Sequence, residues 1–237
     1  MATFVLIHGA GSDSWYWHLV TPELRAAGHD VVAVDLPSDD DARGLDDYTD
    51  IVVEATAGRD DVVVVGQSMG GLTAPLVAAQ VPATRLIVLV AAMIPAPGET
   101  GAAWWDNTGA WRARREQARR DGRDIDAEFD PVAEFLHDVD PRLVEEGWAH
   151  VTEQSDTPFQ APWPLDSWPE IPTRFVLPTR DRFFPAAFQR RMVRDRLGII
   201  PDEIDTGHLP ALARPHELAH LLLRFHSQGR GGGRVEL

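Results

Sequence analysis

The tightest constraint on this chain is a run of ten residues, Val62-Val63-Val64-Val65-Gly66-Gln67-Ser68-Met69-Gly70-Gly71. Four consecutive β-branched residues read as a strand buried on both faces of a parallel sheet. The run then breaks into Gly-x-Ser-x-Gly and continues as the apolar, small-residue segment 72–81, which reads as a helix. A serine at so sharp a strand-to-helix turn has its hydroxyl pushed out above the sheet, at the positive end of the following helix. Gly66 and Gly70 suit the turn because side chains there would strike the neighbouring strand and helix. Ser68 is therefore read as a nucleophile.

The rest of the chain supplies the sheet around that strand. Apolar runs at 4–7, 31–34, 86–90 and 175–177, with a further strand near Ile204, alternate with helical segments at 15–27, 48–58, 186–197 and 215–226. Strands separated by helix-length stretches imply βαβ units. The expected fold class is α/β, a mostly parallel sheet with helices on both faces. Between about residues 95 and 164 the strand pattern disappears. This stretch carries Trp104, Trp105, Trp111, Trp148 and Trp163 and many charges, with helices expected at 101–120, 131–139 and 141–153. It reads as a helical lid inserted into a core made of residues 1–94 and 165–228. The Gly-rich end, 229–237, reads as a flexible tail.

A serine hydroxyl needs a neighbouring base to take its proton. In an architecture of this kind the acid and then the base follow the serine, on loops at the carboxyl ends of later strands. The strand at 175–177 runs into Pro178-Thr179-Arg180-Asp181, which makes Asp181 the expected acid. Ile204-Asp205-Thr206-Gly207-His208 places His208 after the last strand as the expected base. Asp205 competes for the acid role but sits on the histidine's own strand, badly placed to reach the far side of the ring. His8 is expected to pack at a strand end. The charge developing on a carbonyl oxygen needs preorganised donors. One expected donor is the N–H of Met69, directly after the nucleophile, and the other is that of Ala10 in the turn after the first strand.

Composition narrows the chemistry. A net charge of −15 over 237 residues offers no positive field for nucleic acid or an anionic membrane surface. The absence of cysteine removes disulfides, thiolate metal sites and a cysteine nucleophile. No basic-then-apolar leader opens the chain and no apolar run approaches a membrane span, so the expected setting is the cytoplasm. Three patterns could mislead. His216-Glu217-Leu218-Ala219-His220 matches a zinc-protease pattern, but Leu223 stands where a helix-ending glycine would be needed, and a continuous helix would carry His226 around to another face. Gly9-Ala10-Gly11 with Asp35 imitates a dinucleotide fingerprint whose third glycine is replaced by Ser14. The arginine run 112–123 reads as an exposed helix paired with nearby acids, steering of an anionic substrate being the sharper alternative. Neither a metal nor a cofactor is expected.

With His8-Gly9-Ala10, Gly66-Gln67-Ser68-Met69-Gly70-Gly71, Thr179-Arg180-Asp181 followed by Pro185-Ala186-Ala187-Phe188-Gln189, and Gly207-His208, the chain resembles the α/β-hydrolase superfamily. Within it, the likeness is to the branch of plant methylesterases, salicylate-binding esterases and hydroxynitrile lyases. The resemblance implies a Ser68–His208–Asp181 triad and an oxyanion hole at Ala10 and Met69. Hydroxynitrile lyases carry threonine where Gly9 stands and lysine where Leu209 stands, and both groups are missing here. The expected activity is that of a cofactor-independent serine esterase acting through an acyl-enzyme on a small apolar or aromatic ester, with Trp104, Trp105 and Leu209 as substrate-binding residues. Lactone hydrolysis, a lyase on the same site, and a non-catalytic small-molecule-binding protein of the same fold are the alternatives. A homodimer is left open.

Overall fold

A computed structural model describes residues 1–124 and 128–231. In chain order the elements are β1 (Thr3–Ile7), α1 (Val20–Ala26), β2 (Asp30–Ala33), α2 (Leu45–Ala55), β3 (Val62–Gln67), α3 (Gly70–Gln80) and β4 (Thr84–Val90). Four helices follow, α4 (Gly101–Thr108), α5 (Ala110–Arg120), α6 (Pro141–Gly147) and α7 (Thr157–Gln160). Then come β5 (Thr173–Pro178), α8 (Ala186–Leu197), β6 (Asp202–Ile204), α9 (Pro210–Ala213) and α10 (Pro215–Gly231). The six strands form one sheet in the order β2-β1-β3-β4-β5-β6, and every pairing is parallel.

Because successive strand residues point to opposite faces, the valine run of β3 feeds two cores. Val62 and Val64 join Val5, Ile7 and Ile87 beneath side chains of α2, α3 and α8. Val63 and Val65 join Phe4, Leu6 and Val88 beneath Trp17, Leu24 and the apolar stripe Leu218, Leu222 and Phe225 of α10. The chain places β2 on one side of β1 and β3 on the other. At that reversal the connections leave in opposite directions, which opens a crevice above the carboxyl ends of β1 and β3. The turn from His8 to Gly11 and the serine after β3 both stand there.

Local chemistry moves several expected boundaries. The helix expected over 15–27 begins as a 3₁₀ turn, Ser14–Trp17, capped by the Asp13 carboxylate, and becomes α1 only at Val20. Pro22 has no N–H to give an earlier turn, so it suits the first turn of a helix and not its middle. The helix expected over 101–120 is two, because Gly109 adopts a left-handed φ of 71° between them. The segment 131–139 holds a π-helical turn, Val132–Leu136. The helix expected over 141–153 closes at Gly147 and passes into a 3₁₀ turn, Trp148–His150. The last helix runs on to Gly231, past the point where a loose tail was expected, and residues 232–237 lie outside the described residues. No helix among the described residues is long and apolar enough to cross a membrane.

The helical segment between β4 and β5 is pinned at its neck. Gly98 N–H donates to the Trp163 carbonyl at 3.0 Å and Trp163 N–H donates to the Glu99 carbonyl at 2.9 Å. At the same neck the buried Glu99 carboxylate accepts from Arg196 Nη1 and Nη2, at 2.6 and 2.9 Å. It also accepts Asn107 Nδ2 at 2.9 Å and Ala96 N–H at 3.0 Å. Burial alone would raise this carboxyl, but the Arg196, Asn107 and Ala96 donors outweigh it and hold it below the usual range. Such a group stabilises the fold above its unfolded pKa, and that stability is lost as pH falls through the folded value. Arg196→Ala is expected to cost about 3–5 kcal/mol in urea unfolding at neutral pH, since it strands a buried carboxylate. The variant should also lose less further stability than wild type on acidification from about pH 5 to pH 3. Equal acid sensitivity of the two proteins would refute the assignment.

Candidate active site

Each side chain of the site sits where a strand ends. Ser68 follows β3 directly with φ of 50°, a left-handed backbone that non-glycine residues rarely adopt. Its N–H donates to the Val90 carbonyl at 3.0 Å, and its own carbonyl accepts Met93 N–H at 2.9 Å and Gly71 N–H at 3.1 Å. Neighbours leave no room for side chains around it. A Cβ on Gly66 would lie 2.5 Å from the Gly70 carbonyl oxygen, and one on Gly71 would strike the Met93 carbonyl.

Asp181 leaves the loop after β5, and His208 the loop after β6. The His208 ring bridges the other two residues, with Nδ1 2.7 Å from Asp181 Oδ2 and Nε2 3.1 Å from Ser68 Oγ. Asp181 is fully enclosed and richly solvated by donors. Its Oδ1 accepts the N–H groups of Phe183 and Phe184 at 2.9 and 2.8 Å, and its Oδ2 also accepts Gln189 Nε2 at 3.1 Å. These donors fix the plane of the carboxylate. Phe135, Phe183 and Phe184 surround the imidazole, with ring centroids 5.1–5.4 Å away. The competing carboxylate, Asp205, is two-thirds exposed and occupied by Arg180 at 3.0 Å.

Ser68 and His208 open into a cavity of about 390 Å³. Met69, Met93, Trp105, Phe135, Phe159 and Leu209 are among its apolar walls. Among the described residues, no arginine, aspartate or glutamate lines it. Ala10 and Met69 also line it, and among the described residues neither backbone N–H has a hydrogen-bond acceptor. Trp105 and Leu209, two of the expected substrate-binding residues, thus face the cavity. Trp104 does not. Its indole is buried behind Trp105, packed edge-on against Trp105, Phe184 and Phe188, and its Nε1 donates to the Ile94 carbonyl at 3.0 Å. Of two adjacent tryptophans on a short helix, one faces the core and only its neighbour faces the cavity.

His8 is a strand-end residue. Its Nδ1 donates to the Gly9 carbonyl and its Nε2 accepts Leu36 N–H, a pattern available only to the neutral ring. Burial correspondingly pushes its pKa below the ordinary value. The histidines of the last helix go separate ways: His216 pairs with Glu23 on the exposed side, while His226 packs against Phe4 and His29 and meets Asp61. Among the described residues no group of three His, Asp or Glu is arranged to hold a metal ion. Asp35 accepts Ser14 N–H. In the arginine run, Arg114 and Arg123 both pair with Glu134, and Arg112 and Arg120 with Glu116.

Sequence reasoning missed the contacts that hold the loops. Gly11, beside Ala10, donates to Gln154 Oε1 at 3.1 Å, and its carbonyl accepts Thr152 N–H at 3.1 Å. Both partners come from the segment after α6, some 140 residues away in sequence. Gln189, part of the motif after Asp181, proves to be one of the carboxylate's donors. Only that last residue carried a sequence signal, its fixed distance from Asp181.

Residues 4–221 match the family described as the alpha/beta hydrolase family. Methylesterase 7 of Arabidopsis thaliana is 28% identical over 255 residues, spanning 94% of this chain and 95% of the relative. Salicylic acid-binding protein 2 of Nicotiana tabacum is 35% identical over 103 residues, 39% of this chain and 40% of its own. Among solved structures, a pyrethroid hydrolase from Sphingobium faniae JZ-2 has the same fold, with a TM-score of 0.77 at 23% identity over 95% of this chain and 97% of that one.

Gly9 tests the packing of the crevice. A Cβ there would collide with Gln67 Oε1 and lie 3.0 Å from Ser68 Cβ. Gly9→Thr is therefore expected to destabilise by about 1–3 kcal/mol, the usual range for overpacking. Its cost should fall in a Gln67→Ala background, where the obstructing amide is gone. Chemical denaturation of the four proteins in that cycle measures the coupling, and strict additivity would contradict it.

Proposed function

Since the chain belongs to the alpha/beta hydrolase family, we propose that it is a serine hydrolase that cleaves small, uncharged carboxylic esters at Ser68. The observation that carries this reading is the hydrogen-bonded series Ser68–His208–Asp181 opening into an apolar cavity. Its relatives include proteins named methylesterase, which favours a small alcohol as the leaving group. Walls of aromatic and aliphatic side chains favour an apolar or aromatic acyl part.

In this mechanism Ser68 Oγ adds to the ester carbonyl while its proton passes to His208 Nε2. The negative oxygen of the tetrahedral adduct is received by the N–H groups of Ala10 and Met69, at the positive end of α3. Each such donor contributes roughly 2.7–4 kcal/mol of barrier lowering in related chemistry. The adduct collapses as the C–O bond to the alcohol breaks and His208 returns the proton to the departing oxygen. A water then adds to the acyl-enzyme, giving its proton to His208, and the second collapse restores the Ser68 hydroxyl and frees the acid. Asp181 stays ionised throughout, holding the imidazole tautomer and balancing the imidazolium. The same steps open a lactone. A lyase reading has less support, because Gly9 and Leu209 supply neither hydroxyl nor cation. A small-molecule ester is the partner this reading requires, and a cytoplasmic setting is carried with it.

A fluorophosphonate probe and a neutral aromatic methyl ester test the proposal. Wild type should be labelled and turn over the ester, whereas Ser68→Ala should do neither. Asp181→Asn should lower kcat on the order of 10⁴-fold with little change in KM. An unlabelled wild type that still binds apolar esters would replace the hydrolase with a binding protein.

A further inference from the structure

The histidine loop is gripped from outside the core. Asp138, between the π-helical turn and α6, has a side chain only 7% exposed. Its Oδ2 accepts Gly207 N–H at 2.6 Å and Arg180 Nη2 at 3.3 Å. Gly207 immediately precedes His208, and Arg180 immediately precedes Asp181. One buried carboxylate thus touches the backbone ahead of the base and the side chain ahead of the acid.

The fit around Gly207 is close. A Cβ on that residue would lie 2.6 Å from Asp138 Oδ1 and 2.7 Å from His137 Cε1. Gly207 has no left-handed φ, so its lack of a side chain answers to space alone. On the other side of the histidine, Gln67 Nε2 donates to the His208 carbonyl at 3.3 Å. Asp138 therefore holds the Thr206–Gly207 peptide, one unit ahead of the base, and Gln67 holds the peptide that follows it. Of the two, only Asp138 belongs to the segment between β4 and β5.

Resting on the hydrolase reading above, we propose that Asp138 is a positioning residue for His208, so that the helical segment sets the geometry of the base as well as covering the cavity. Asp138 touches no reacting atom. Its charge-assisted bond to Gly207 N–H is of the stronger class, and it fixes where the imidazole stands between Ser68 and Asp181. A displacement of about 1 Å in such an arrangement can cost on the order of 10²-fold in rate. The structure also ranks substitutions. Asn keeps an acceptor for Gly207 N–H, Ala removes it, and Glu keeps the charge but carries the carboxylate beyond the N–H.

The test is the acylation rate with the fluorophosphonate, together with kcat and KM on the neutral aromatic ester and the thermal midpoint of each variant. Asp138→Ala should acylate about 10- to 100-fold more slowly than wild type. Its KM should stay within about threefold, because the residue does not line the cavity. Asp138→Asn should recover to within about fivefold of wild type, and Asp138→Glu should fall below Asp138→Asn. If Asp138→Ala does not fold, the order of Asn above Glu still decides. Wild-type rates in both Asn and Glu, or a loss that appears only in KM, would overturn the proposal while leaving the hydrolase standing. A wild type that the probe does not label would overturn the hydrolase reading, and this inference with it.

Discussion

Everything at this site depends on a backbone bend that the chain would not adopt by itself. Ser68 sits at φ of 50°, a conformation that costs of order 1–3 kcal/mol for a residue with a side chain. It persists because its peptide groups are bonded to Val90 and Met93 at the end of β4. The glycines around it allow strands and helix to approach closer than any side chain would permit. The strain is local and its compensation is spread over the sheet. The four-valine run of β3, buried on both faces, supplies a rigid base from which so sharp a turn can be made.

That division explains what the sequence revealed. The parallel sheet, the elbow and the strand ends that bring Ser68, Asp181 and His208 together were legible because each is encoded locally, by a β-branched run, a glycine pattern or a loop at a strand end. Trp104 shows the opposite case. On composition it was indistinguishable from Trp105, and only the rotation of α4 on the core decides that one indole is a wall of the cavity and the other part of the core. Gln154 and Asp138 were invisible for a related reason. Each acts through a single hydrogen bond to a backbone group far away in sequence, and polar residues in a charged helical stretch carry no mark of such a bond.

Those two contacts give the segment between β4 and β5 a larger part than its sequence suggested. Gln154 and Thr152 take hold of Gly11 beside one expected oxyanion donor, and Phe135 covers the His208 ring. The segment is itself held at the neck by the Glu99–Arg196 pair. A chain of contacts therefore runs from α8 through the neck and across the helices to the turn at Gly11. In such an arrangement, covering the cavity and fixing the loops beside it are one structural event, because the hydrogen bonds that seat the segment end on Gly11 and Gly207.

Charge completes the picture. The cavity walls hold no arginine among the described residues, and the chain as a whole carries −15. An uncharged ester loses little hydration on entering such a space and gains apolar contact. The acid product differs. Once ionised it meets no arginine among the described cavity walls, whereas water solvates its charge at no cost to the protein. Arg112, Arg114, Arg120 and Arg123 are engaged with Glu116 and Glu134. A cavity built this way eases release of the acid product, because it suits the neutral reactant better than the anion it becomes. A receptor for a carboxylate would need the reverse arrangement.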